Sequence, residues 1–131
     1  MPSTDVELIR DHYDATNERD FERAMSQYAD EVVLVVHSGL GTGSFEGRDA
    51  VGGWFGDWFA TFDRDAHFEV TELSERPDGR VLLIADFLGR GRGSGAQAEG
   101  TVVWLYRVQD GKIVHVEGGT TRDVLVKLGL E

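Results

Sequence analysis

The stretch TVVWLYRVQDGKIVHVEG, residues 101–118, sets two β-branched and aromatic runs on either side of Asp110-Gly111. Asp-Gly readily adopts the two left-handed residues of a tight hairpin, so the stretch reads as two antiparallel strands. Towards the N-terminus, residues 66–75 and 80–90 read as two more, with Pro77-Asp78-Gly79 turning between them. The glycine run from Gly89 to Gly95 joins 80–90 to a strand over 97–108. The second half is therefore a meander, followed by a short helix or extended tail over Asp123 to Leu130.

The first half has a different period. Thr4 and Glu7 form a capping-box pair, and Asp5 suits the positive end of a helix. Val6, Ile9, His12, Tyr13 and Thr16 then fall on one side of that helix, with Glu7, Arg10, Asp11, Asp14 and Glu18 opposite. A short second helix follows Asp20 as N-cap, with Phe21, Ala24, Met25 and Tyr28 on its apolar face. Val32 to His37 reads as a strand covered on both faces. A loop from Ser38 to Gly47, carrying Gly39, Gly41, Gly43 and Gly47, leads to a third helix from about Arg48 to Phe62. Helices followed by hairpins give an α+β fold, and no repeat or linker divides it, so residues 1–131 are read as one domain.

Composition bounds the function. Thirteen Lys and Arg against 24 Asp and Glu leave a net charge of −11 over 131 residues, which disfavours nucleic acid and anionic membrane surfaces as partners. There is no cysteine, hence no thiolate nucleophile, disulfide or cysteine zinc site. The N-terminal MPSTDVELIRDHYD lacks the apolar stretch of a signal peptide, and the longest apolar run is Val32 to Val36, so a cytoplasmic location is expected. No histidine pair has metal-ligand spacing. Gly91-x-Gly93-x-x-Ala96 imitates a dinucleotide fingerprint, but a β-like run follows where that fingerprint needs a helix. Neither a metal nor a cofactor is expected.

Four segments in order, NERDFERAMSQYADEVVL (17–34), FEGRDAVGGWF (45–55), DGKIVHVEG (110–118) and TTRDVLVKLGL (120–130), resemble the nuclear transport factor 2-like superfamily, most closely its SnoaL-like polyketide cyclase branch. The resemblance implies a cone-shaped, curved antiparallel sheet wrapped around three helices (a cystatin-like roll), and a homodimer through the convex sheet face. The family includes a ketosteroid isomerase, aldol cyclases, an epoxide hydrolase and binding domains without chemistry, so fold alone does not assign function.

Carried over residue by residue, the resemblance places His37 within about one position of the isomerase's proton-abstracting aspartate. A neutral imidazole there suits a general base, while the plain alternative is a histidine that caps a strand. His12 falls at the isomerase's oxyanion-donor tyrosine, with Tyr13 beside it, although a histidine on a helix face is more often a satisfied core residue. The second oxyanion donor, an aspartate in the family, is matched by Trp104, which argues against steroid isomerisation.

Trp54, Trp58, Phe87, Trp104 and Tyr106 are the expected pocket wall, against the alternative of ordinary core packing. Strand alternation sends Asp86 to the face opposite Phe87, pairing with Arg90 or Arg107, and puts His115 and Glu117 on the convex face. Two functions stay open: acid–base chemistry on an apolar carbonyl or epoxide compound, or a non-catalytic domain for ligand binding or dimeric assembly.

Overall fold

The computed structural model of the chain describes residues 4–38, 42–62, 66–91, 95–120 and 123–129. Helix α1 spans Thr4–Asn17 and buries Val6, Ile9, His12 and Tyr13 as the spacing predicts, with Ala15 buried beside them and Thr16 half-buried. Thr4, expected as the cap, is instead the first residue of the helix. Arg19 adopts a left-handed backbone (φ 62°) that turns the chain into α2, Phe21–Ser26. The Asp20 side chain caps α2 by accepting from the Arg23 backbone N–H. Tyr28, expected on α2, instead opens strand β1, Tyr28–Ser38.

The glycine-rich loop contains an edge strand that the sequence had not suggested. β2, Gly43–Glu46, pairs antiparallel with Val33 to Val36 of β1. Gly47, at φ 93°, then turns the chain into α3, Arg48–Ala60. β3 (His67–Glu75), β4 (Val81–Arg90), β5 (Gln97–Gln109) and β6 (Lys112–Gly119) follow, then α4 (Val124–Lys127). The fingerprint-like residues Gly91 to Ala96 lie between β4 and β5, with 92–94 outside the described residues. Asp110 and Gly111, at φ 52° and 74°, form the tight turn between β5 and β6.

The six strands form one curved, unclosed sheet in the order β2-β1-β6-β5-β4-β3. All neighbours are antiparallel except β1 and β6, which run parallel because the last strand returns to the first. Leu34, Val36, Leu83, Phe87, Trp104 and Tyr106 point inward, packed with α1 and α3. Gly118 makes room for this arrangement: a Cβ there would overlap the Val103 carbonyl oxygen and stand 2.8 Å from the Trp104 ring.

Leu82, Ile84, Val103 and Leu105 point to the other face, where Val124 and Leu125 of α4 bury them, with Leu128 alongside. The outer apolar patch is thus covered within the chain. No helix is long and apolar enough to cross a membrane.

Candidate functional site

A cavity of about 250 Å³ lies between α1, α2, α3 and the inner ends of β1 and β3. Three sequence features create it. Helix α1 supplies His12, Tyr13 and Thr16 at one-turn spacing, and the short α2 lays Phe21, Ala24 and Met25 across the top. Helix α3 contributes Phe55 and Phe59 together with two glycines: Gly52, which makes room for Met25, and Gly56, whose missing side chain leaves open space. Tyr28 and Phe68 complete the lining.

The polar groups are few and tightly wired. Tyr106, fully buried on β5, donates its hydroxyl hydrogen to the Tyr13 oxygen at 3.1 Å. His12 Nδ1 is 2.9 Å from Gln27 Oε1, and its Nε2 is 3.1 Å from the Tyr28 hydroxyl. Gln27 donates from Nε2 to Asp11 Oδ2 at 2.7 Å, and Arg23 holds the Asp11 carboxylate from Nη2 at 2.7 Å.

Burial lowers the His12 pKa to about 4, although the Gln27 bond, the nearby Asp11 charge and the Ala24 carbonyl all act the other way. Burial likewise pushes Tyr13, Tyr28 and Tyr106 up. On the surface, the Arg23 hydrogen bond holds the Asp11 carboxyl below its ordinary range. The groups facing the cavity are therefore neutral near pH 7.

The structure brings only some of the expected site residues together. His12 and Tyr13 line the cavity. Tyr106 stands behind Tyr13, reaching the cavity only through its hydrogen bond. Trp54, Trp58, Phe87 and Trp104 pack on one another and on the lining phenylalanines: Trp54 meets Trp104 edge-on at 5.8 Å, and Trp58 meets Phe87 at 4.6 Å. They support the cavity from behind, while Phe55, Phe59 and Phe68 form its aromatic surface.

His37 departs from expectation. Its neighbour Val36 takes the inward position, and a bulge in the β1–β6 pairing falls between Val36 and Ser38. The His37 side chain is bonded through Nε2 to Glu117 Oε2 at 3.1 Å, on the outer face and away from the cavity. Asp86 is on the outer face as expected, but Thr101 donates to it where an arginine had been foreseen.

Gln27, Tyr28, Gly52 and Gly56 were missed. The legible signal was the glycines, four residues apart inside a helix that each of them weakens. Among the described residues, no cluster of His, Asp and Glu could hold a metal ion.

The model of the SnoaL-like domain family matches residues 9–116. No curated protein matches the chain in sequence. Among solved structures, an NTF2-like protein of unknown function from Burkholderia pseudomallei superposes with a TM-score of 0.77 at 20% identity, over 98% of each chain. TerC, co-crystallised with polyporic acid, gives 0.76 at 21% identity, covering 96% of this chain and 98% of its own. RV0760c from Mycobacterium tuberculosis, in complex with estradiol-17beta-hemisuccinate, gives 0.72 at 21%, covering 89% and 93%.

Proposed function

The chain belongs to the SnoaL-like domain family, and from that premise we propose that its cavity binds an uncharged, ring-sized apolar compound through a carbonyl held by the Tyr13 hydroxyl. The observation that carries this is the pairing of the buried Tyr106 hydroxyl with that of Tyr13, which alone of the two lines the cavity. Tyr106 is buried with Tyr13 as its hydroxyl partner, so it must donate to avoid an orphaned buried hydrogen. Tyr13 accepts that hydrogen and keeps its own for the cavity it lines. A donor that is itself receiving a hydrogen bond is polarised and binds a carbonyl oxygen more strongly.

Size and charge support the same reading. An apolar cavity of about 150 Å³ is enough to take up benzene, and this one is about 250 Å³ with phenylalanines on its walls. No carboxylate among the described residues lines it, so an ionised ligand would lose its hydration without gaining an ion pair. TerC and RV0760c likewise hold small organic molecules, polyporic acid and estradiol-17beta-hemisuccinate, and the preference for an uncharged ligand rests on this chain's own lining.

Binding is favoured over proton abstraction by the state of the histidines. His37 is on the outer face, and both nitrogens of His12 are engaged, with its basicity greatly reduced. A general base works best with a pKa near the operating pH.

Calorimetric titration with acetophenone, a neutral one-ring ketone, tests the proposal. Saturable 1:1 binding that weakens about 3–10-fold in Tyr13→Phe, the worth of one hydrogen bond, is the expected result. An unchanged affinity in that variant, or no heat at millimolar ketone, would overturn it.

A further inference from the structure

We propose that Asp11 and Gln27 are positioning residues: they hold His12 as its Nδ1–H tautomer and so make the Tyr28 oxygen a hydrogen-bond acceptor in the cavity, which selects a ligand carrying a hydroxyl as well as a carbonyl. The ligand half rests on the binding reading above; the tautomer half does not.

The chain of hydrogen bonds runs inward from the surface. Arg23 donates to both Asp11 oxygens, from Nη2 to Oδ1 at 2.7 Å and from Nε to Oδ2 at 3.3 Å, which keeps the carboxylate ionised and able only to accept. The Gln27 group 2.7 Å from Asp11 must then be its NH₂, so its carbonyl oxygen faces His12. An acceptor 2.9 Å from Nδ1 puts the imidazole hydrogen on Nδ1. The neutral ring is left with a bare Nε2, and the 3.1 Å contact to Tyr28 needs a hydrogen from the tyrosine.

With its hydrogen committed to His12, the Tyr28 oxygen has only lone pairs to offer. Tyr13, receiving from Tyr106, has the opposite polarity. The cavity therefore presents one donor and one acceptor on neighbouring elements, α1 and the start of β1. A neutral compound with both a carbonyl and a hydroxyl, such as a phenolic ketone, satisfies the two together. A plain ketone leaves Tyr28 unanswered.

Nitrogen-15 NMR of His12 at pH 7.5 tests the relay without any ligand. The native protein should show the Nδ1–H form. Asp11 is half exposed, so Asp11→Asn removes no packed side chain from the core. In that variant the introduced side-chain oxygen faces Arg23 and the introduced NH₂ faces Gln27, which turns over and moves the His12 hydrogen to Nε2. Nε2–H in the native protein, or an unchanged tautomer in Asp11→Asn, would overturn the relay.

For the ligand, 3-hydroxyacetophenone should bind about fivefold tighter than acetophenone, an advantage of one hydrogen bond, and Tyr28→Phe should abolish the difference. Equal affinities in the native protein would overturn the ligand class. Failure of both compounds to bind would overturn the binding reading and this ligand class with it, while the spectra decide the relay independently.

Discussion

The hydroxyl of Tyr106 lies 3.1 Å from that of Tyr13, joining the last long strand to the first helix across 93 residues of sequence. Each member of the pair depends differently on the other. Tyr13→Phe orphans a buried Tyr106 hydroxyl and should cost about 1–3 kcal/mol of stability. Tyr106→Phe removes a donor whose partner still has the cavity to face, so about 1 kcal/mol is expected. The double variant should lose less than the two losses added, because the orphan is gone. Urea unfolding of the three variants checks this, and simple additivity would contradict the pairing.

Gly52 and Gly56 follow one another by a single helical turn on the cavity face of α3, and they are not equivalent. A Cβ at Gly52 would stand 2.5 Å from Met25 Sδ and Cε, so Gly52→Ala requires the flexible methionine to shift. A Cβ at Gly56 meets nothing within 4 Å. Gly56→Leu should therefore fold at least as stably, gaining up to about 1 kcal/mol of helix propensity, while its side chain occupies the cavity. Loss of acetophenone binding with a raised melting temperature is the expected result; native affinity would show that the ligand lies elsewhere.

Elements were legible in the sequence wherever a local rule governs them. The Asp110-Gly111 turn and the Asp20 cap were read correctly because each is set by a few adjacent residues. Strand β2 was not, because its four residues, three of them exposed, are held mainly by pairing with β1. His37 was misplaced because its orientation depends on a bulge, and a one-residue change in register reverses a side chain. Gln27 and Tyr28 escaped notice because their importance is non-local: they meet His12 from 15 and 16 residues away in sequence.

His37 now carries the reverse of its sequence-based expectation. Its bond to Glu117 is part of an outer-face network in which Arg80 donates to the same carboxylate at 3.1 Å and pairs with Asp78. Partly exposed pairs of this kind contribute about 1 kcal/mol or less. His37→Ala should leave ketone affinity within twofold of native and stability within about 1 kcal/mol. A loss of binding beyond tenfold would restore His37 to the site.

On the outer face, Leu125 is 4% exposed, packed in the cluster of Leu82, Ile84, Val103 and Leu105. Leu125→Asp places a charge in that cluster and should lift α4 from the sheet, baring a row of apolar side chains that invites association. Sedimentation velocity should find the variant more self-associated than the native chain at equal micromolar concentration. An unchanged profile at unchanged stability would mean that α4 does not seal the face. The homodimer expected through this face would have to form with α4 in place, alongside His37, Arg80, Arg107 and Glu117.

Acid should weaken the fold through His12. Its pKa is about 4 in the folded protein, against an ordinary value of 6.5. Between those values the unfolded chain binds a proton that the native state refuses, so stability is complete above about pH 6.5 and falls as pH drops towards 4. The full effect is about 3 kcal/mol. Asp11 acts in a lower window: its carboxyl is held below 3.8, so its contribution persists until pH falls beneath that value. Urea midpoints measured from pH 7.5 to 4.5 should therefore decline steadily below 6.5, and His12→Asn should flatten most of that slope. A native midpoint that does not move over the range would mean that His12 takes up its proton in the fold as readily as in the unfolded chain.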